Sequence, residues 1–294
     1  MKKFIVLVAA VCMAYTATFA QTVKPFKEGE RAVFLGNSIT DGGHYHSYIW
    51  LYYMTRFPNM PIRIFNGGIG GDTAFDMNKR LDADIFAMQP SVLMVTFGMN
   101  DSGYFEYNGD KAKEFGEEKY QESIKNYQQM EKRFKELPKT RIVMLGTSPY
   151  DETVQLKEGN LFKTKNETIK RIVEYQKESA AKNGWEFSDL NAPMVALNQQ
   201  FQQKDPAFTL CGSDRIHPDN DGHMVMAYLF LKAQGFVGKD VANMEINANK
   251  KEAVKAENCT VSNIKKIGNE LSFDYLAEAL PYPCLLYTSP SPRD

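Results

Sequence analysis

The chain lacks most of the features that would put it in a special class. Of its 294 residues only four are cysteine, four histidine and two tryptophan. Four cysteines in that length do not make the disulfide framework on which small secreted scaffolds depend. Lysine plus arginine (35) and aspartate plus glutamate (36) nearly cancel, leaving a formal net charge of −1. That balance excludes the basic field that collects nucleic acid or anionic lipid. There is no internal repeat, no low-complexity tract and, beyond the N-terminal stretch, no long apolar run. What remains is a globular composition, 43% hydrophobic and 24% charged, long enough for one large core or one domain plus an appendage.

Both ends stand apart from this. Lys2 and Lys3 precede the apolar stretch "FIVLVAAVCMAYTATFA", which ends in small residues with Thr18 and Ala20 at the peptidase positions. Residues 1–20 therefore read as a signal peptide cleaved before Gln21, implying export to a bacterial periplasm or beyond. The run is short for a membrane span and no stop-transfer charges follow it, so no stable span is expected. Val11 before Cys12 is not the small residue that a lipidation site wants. At the other end, "CLLYTSPSPRD" (284–294) breaks sharply from "FDYLAEALPYP" and resembles a translated sequencing adapter. It is set aside from fold reasoning, with the natural chain expected to continue past Pro283. Cys211 and Cys259 then remain, enough for a single disulfide.

Five short apolar runs read as buried strands: "AVFLG" (32–36), "IRIFN" (62–66), "SVLMVTFG" (91–98), "RIVMLG" (141–146) and "WEFSDL" (185–190). Amphipathic stretches at 45–57, 117–137, 166–183 and 218–234 show helical spacing, the last capped near Asn220 or Asp221. Strand alternating with helix predicts an α/β sandwich around a parallel sheet, over residues 21–240. Residues 241–283 read as the start of a truncated C-terminal segment: 249–276 is charged, then strand-like, without an Asn-Gly break or recognisable chemistry.

Ligands of such sheets sit outside the carboxyl ends of the strands. The residues at those exits are unusual. The first strand stops at Gly36-Asn37-Ser38, the second runs into "NGGIGGDT" with Gly71, and the third into "GMND" with Asn100. Late in the chain, "CGSDRIHPDNDGH" puts Asp214 three residues before His217. A hydroxyl, a glycine amide, a carboxamide and an Asp-His pair are what acyl transfer requires. Serine needs a base to take its proton. The imidazole needs a carboxylate to fix its tautomer. The tetrahedral intermediate needs donors facing its oxyanion.

In these four blocks, in order over residues 30 to 235, the chain resembles the SGNH hydrolases, the GDSL esterase and lipase family. Singly each block is weak; four in order at strand exits are specific. The resemblance implies a flavodoxin-like three-layer α/β sandwich with a five-stranded parallel sheet. It implies Ser38 as nucleophile, His217 as base, Asp214 as its orienting partner, and Ser38, Gly71 and Asn100 as the oxyanion hole. The family's usual aspartate before the serine is Asn37 here, a turn-shaping position that asparagine fills as well. Two other motifs fail. "GNSIT" lacks the second glycine of the Gly-x-Ser-x-Gly elbow, and "GGIGGDT" the third glycine of a dinucleotide fingerprint.

His44, Tyr104 and Phe105 are the candidate substrate contacts, from their places beside the serine and asparagine blocks. His44 and His46 alternate without a third ligand, so no metal is assigned, and the chemistry calls for no cofactor. Asp101 reads as structural and His223 as a packing residue. The expected activity is that of an exported serine esterase cleaving a small acyl group, acetate foremost, from a carbohydrate; the partner is a small-molecule or polysaccharide ester. A lipid-directed esterase or lysophospholipase is the alternative within the class. A glycan-binding module without turnover is the alternative outside it.

Overall fold

A computed structural model describes residues 22–283. The signal-peptide reading of residues 1–20 and the adapter reading of 284–294 lie outside the described residues. Five parallel strands form one sheet: β1 (Arg31–Gly36), β2 (Arg63–Gly68), β3 (Val92–Val95), β4 (Arg141–Gly146) and β5 (Glu186–Asp189). Their order across the sheet is β2-β1-β3-β4-β5, the doubly wound flavodoxin-like order, and every pair is parallel. The chain winds one way from β1 to β2 and the other way from β3 onward. The crevice between the ends of β1 and β3 is thus the switch point where such sheets take ligands.

Strand side chains alternate between two cores. Ala32, Phe34, Val92, Met94, Val143 and Leu145 face one layer, with α2 (His44–Arg56) and α7 (Asn220–Ala233) packed on it. Val33, Leu35, Leu93, Val95, Ile142 and Met144 face the other, covered by α3 (Ala74–Lys79), α4 (Ala112–Lys135) and α5 (Lys165–Asn183). Helical spacing sets those faces: α4 buries Ile124, Tyr127, Met130 and Phe134, and α7 buries His223, Met226, Ala227 and Phe230. A buried phenylalanine such as Phe34 or Phe134 contributes roughly 3–5 kcal/mol relative to alanine. The three-layer α/β sandwich expected from the sequence is the observed architecture.

Several boundaries differ from the sequence reading. β2 continues through Gly67 and Gly68, still paired with Leu35 and Gly36 of β1. β3 leaves the ladder after Val95, well short of Gly98. Helix α3 and helix α6 (Asn191–Gln202) carry no strong apolar stripe and were not expected. The cap of α7 is Asp219, whose side chain accepts from the Gly222 amide, not Asn220 or Asp221. Residues 243–277 form two antiparallel hairpins, β6 (Asn243–Asn247) with β7 (Glu252–Glu257) and β8 (Cys259–Ile267) with β9 (Glu270–Ala277). Cys211 and Cys259 are both free and buried, so the single disulfide the sequence allowed is not formed. No helix among the described residues is long and apolar enough to cross a membrane.

Candidate active site

The serine turn is built first. Asn37 caps the short helix α1 (Ser38–Asp41): its side-chain oxygen accepts from the Ile39 amide at 3.1 Å, and its carbonyl accepts from Thr40 and Asp41 at 3.0 and 2.8 Å. A Cβ on Gly36 would stand 2.1 Å from the Thr40 hydroxyl, so the chain can turn this tightly only with glycine there. Ser38 is consequently the first helical residue, where the amide has no partner within the helix. Among the described residues that amide donates to nothing.

The exit of β2 packs on this turn. The Asn66 side chain accepts from the Gly68 amide and donates to the Asp41 carbonyl, at 2.9 and 3.0 Å. Gly71 has φ +85° and an open flank, and its amide makes no hydrogen bond among the described residues. Behind it, Arg80 donates to the Asp72 carboxylate at 2.6 Å, to the Gly67 carbonyl at 2.8 Å and to the Gly36 carbonyl at 3.2 Å. One guanidinium therefore ties the ends of β1 and β2 to the residue after Gly71. Burial pushes the Asp72 carboxyl up, against the opposing pull of Arg80.

Beyond β3, the fully buried Asp101 carboxylate accepts from the Gly98 and Ala74 amides at 3.0 and 2.9 Å and from the Ser123 hydroxyl at 3.2 Å. It fastens the asparagine turn to α3 and α4, a structural task. Burial raises its pKa in spite of those donors. Asn100 is held at both ends: its side-chain nitrogen donates to the Asp72 carbonyl at 2.9 Å, and its oxygen accepts from the Tyr104 hydroxyl at 2.5 Å.

The last block arrives on the loop before α7. A Cβ on Gly212, at φ +68°, would meet the His217 carbonyl at 2.2 Å, so glycine lets the loop fold back on itself. Arg215 occupies the left-handed region at φ +71°, an unfavourable place for a side-chain-bearing residue. Its buried guanidinium donates to the Val154 and Asp151 carbonyls at 2.6 and 3.2 Å, which holds the loop in that form. The Asp214 carboxylate then accepts from the Ile216 and His217 amides, both at 2.9 Å, and stands 2.5 Å from His217 Nδ1. His217 Nε2 lies 2.8 Å from Ser38 Oγ.

The electrostatics follow from these contacts. Burial alone would raise the Asp214 pKa, but the His217 ring and the two amides outweigh it and hold the carboxyl at about 2. The hydrogen bond to Asp214 raises the pKa of His217, against the effect of burial. Hydroxyl, imidazole and carboxylate thus form one hydrogen-bonded line; among the described residues the Ser38 and Gly71 amides are unbonded and the Asn100 carboxamide has one N–H unassigned. That arrangement can deprotonate an alcohol and stabilise an oxyanion.

The remaining candidates divide. Phe105 is 67% exposed, with one edge on Phe162 at 5.4 Å between centroids. His44 is exposed and its Nδ1 is 2.7 Å from the Asn220 side-chain oxygen. Tyr104 is half-buried, its hydroxyl on the Asn100 side-chain oxygen and its ring against the Lys165 ammonium and Phe162. Arg80, Arg215 and Lys165, the residues that brace the loops, carry no signal in the sequence, since nothing local marks a cation for burial. Among the described residues no three His, Cys, Asp or Glu side chains gather in metal-binding geometry.

His46 and His223 are buried near His44, and burial lowers both to a pKa of about 4. Each is therefore neutral in the native state, while the unfolded chain takes up a proton below its ordinary value near 6.5. Stability from these groups is complete above that value and falls as pH drops toward 4. The stability advantage of wild type over His223→Gln is expected to shrink by about 2–3 kcal/mol between pH 7 and pH 4.5. Urea unfolding at both pH values reads it, and the comparison cancels the carboxylates. A constant difference would refute the assignment.

Residues 34–225 match the model of the GDSL-like Lipase/Acylhydrolase family. An acetylxylan esterase of Geobacillus stearothermophilus is 27% identical over 224 residues, covering 71% of this chain and 95% of its own. The solved structure of Axe2, an acetylxylan esterase of that organism, superposes with a TM-score of 0.57 at 25% identity, over 71% of this chain and 96% of that one. The solved structure of a gut microbial diltiazem-metabolizing enzyme superposes with a TM-score of 0.86 at 85% identity over 90% of this chain. The chain spans 60% of the length of that last structure.

Proposed function

The chain belongs to the GDSL-like lipase/acylhydrolase family, and from that premise we propose that it removes small acyl groups, acetate above all, from a carbohydrate alcohol. The observation that carries the mechanism is the unbroken line from Ser38 Oγ through His217 to Asp214, 2.8 and 2.5 Å. Ser38 Oγ attacks the ester carbonyl carbon as His217 Nε2 takes its proton. The carbonyl oxygen, now anionic, is met by the Ser38 and Gly71 amides and by the Asn100 side chain. His217 returns the proton to the leaving alkoxide, which departs as the alcohol. A water then repeats the sequence on the acyl-serine, releasing the acid and regenerating Ser38.

The acetyl reading is supported by the relative described as an acetylxylan esterase, 27% identical over 224 residues. The site also suits a large alcohol: the His217 and Asp214 side chains are each 49% exposed, so the shelf opens to solvent and a polymer can reach it. A long acyl chain on such a shelf would remain largely in water and gain little from burial. Export through residues 1–20 to the periplasm or beyond fits a polysaccharide ester, which is met outside the cytoplasm.

Turnover of p-nitrophenyl acetate, butyrate and octanoate tests the acyl preference, with kcat/KM expected to fall at least 10-fold from acetate to octanoate. Acetate release from acetylated xylo-oligosaccharides tests the alcohol. Rising kcat/KM with chain length would overturn the proposal in favour of a lipid-directed esterase. Binding of glycans without ester cleavage would mark a module without turnover.

A further inference from the structure

Asn100 is the one oxyanion donor that is a side chain, and a side chain needs something to aim it. A primary amide has two N–H donors and one oxygen in a plane, and the surroundings here fix which is which. The Asp72 carbonyl can only accept, so the nitrogen faces it; the oxygen then meets the Tyr104 hydroxyl, which donates. With one N–H on Asp72 and the oxygen on Tyr104, the direction of the second N–H is set by geometry alone. The contact at 2.5 Å lies at the short end for an O–H···O bond. Donation into the carboxamide oxygen draws density from its nitrogen and strengthens what the second N–H can give.

Tyr104 is itself held from below. Its ring lies 3.9 Å from the ammonium of Lys165, a fully buried lysine at the start of α5. That ammonium spends all three donors on the turn carrying Asn100: the Met99 carbonyl at 2.7 Å, the Ser102 hydroxyl at 2.6 Å and the Gly103 carbonyl. Tyr107 adds a bond from its hydroxyl to the Ser102 carbonyl at 2.8 Å. The Tyr104 phenol, its pKa raised by burial and by the charges of Asp214 and Asp101, stays protonated and available as a donor.

We infer that Tyr104 is a positioning residue for the reaction: braced on Lys165, it orients and polarises the Asn100 carboxamide so that its free N–H serves the oxyanion. The inference rests on the proposed role of Asn100 in ester hydrolysis. Tyr104 touches no reacting atom, and its effect passes entirely through Asn100. It differs in this from a ring stacked on substrate, which would alter affinity.

The test is a double-mutant cycle with p-nitrophenyl acetate on the full chain. Tyr104→Phe keeps the ring over Lys165 and removes only the hydroxyl. It is expected to lower kcat about 10-fold, a fraction of the roughly 100- to 1000-fold that follows loss of an oxyanion donor, with KM within about twofold and the melting temperature nearly unchanged. In the Asn100→Ala background the same substitution is expected to change kcat less than about twofold. If Asn100→Ala is severely impaired while Tyr104→Phe matches wild type, the inference fails and the proposed function stands. If Tyr104→Phe costs as much with Asn100 absent as present, the tyrosine acts by another route and the inference again fails. If Asn100→Ala keeps wild-type kcat, it is the role of Asn100 that is wrong. A Tyr104→Phe effect confined to KM would mark a substrate contact and overturn positioning.

Discussion

Ser38→Ala is expected to lower kcat for p-nitrophenyl acetate by on the order of 10⁴-fold or more, with no loss of folded protein. The two halves of that expectation come from different features of the same turn. Among the described residues the hydroxyl is the one hydrogen-bond partner of His217 Nε2, at 2.8 Å, so removing it leaves the imidazole with nothing to activate but water. The residual rate would come from the oxyanion donors and binding. Stability is spared because Ser38 does not cap α1. The cap is Asn37, whose side chain accepts from the Ile39 amide, and alanine is well suited to the first helical position. Burst and steady-state kinetics beside a thermal melt check both halves. A variant as active as wild type would remove Ser38 from the chemistry. One that fails to fold would show that the serine serves the turn.

The layers of this fold were legible because a parallel sheet covered on both faces makes its strands nearly continuous in hydrophobicity. β1 and β4 illustrate it, with five buried residues in each run of six. Edges were harder. β2 has one buried residue in six and its last two residues are glycines, which a reading by apolarity discards; yet their backbone stays paired with β1, and position 68 takes glycine because a Cβ there would strike the Asp41 backbone at 2.2 Å. Helix α6 failed for the same reason: it buries only Asn191, Met194 and Asn198, too few apolar positions to show a period. The β8–β9 hairpin is hidden in the sequence by its turn chemistry: its connection is Gly268-Asn269, with Gly268 at φ +61°, a pairing as apt for a tight hairpin as Asn-Gly.

At the site, sequence exposes groups that act through local motifs and hides those that act at a distance. Ser38, Gly71, Asn100 and the Asp214–His217 pair each sit in a short segment whose neighbours serve the same turn. Arg80 lies 44 residues from Gly36 and 13 from Gly67, yet one of its nitrogens bonds to both carbonyls. Lys165 is 66 residues from Met99. Exposed and buried cations look alike in a sequence, and burying one requires acceptors that only the fold assembles. Tyr104 shows the intermediate case. Its nearness to the asparagine block was apparent, but whether its ring faced solvent or its hydroxyl faced Asn100 depended on Lys165 beneath it.

Asp214→Asn is the second large effect, and it isolates charge and tautomer from geometry. In the native loop one carboxylate oxygen accepts from the Ile216 and His217 amides and the other faces His217 Nδ1. Asparagine has one acceptor oxygen, and the two backbone donors claim it. Its NH₂ then faces Nδ1, which must accept, so the ring proton moves to Nε2. That nitrogen can no longer take the Ser38 proton, and kcat is expected to fall roughly 10³- to 10⁴-fold. The pH profile carries the independent signature. Asp214 stays ionised down to about pH 2 and raises the His217 pKa, and only the neutral ring is active. Wild-type kcat/KM should therefore fall on the acid side from a pH above the ordinary histidine value. With the carboxylate gone the raising effect goes too, so the acid limb moves to lower pH while the plateau collapses. Measuring kcat/KM from pH 4 to 9 for both proteins separates the two consequences. A low plateau with an unmoved limb would leave a misplaced ring as the explanation, and a plateau within 10-fold of wild type would deny Asp214 any part in setting the tautomer.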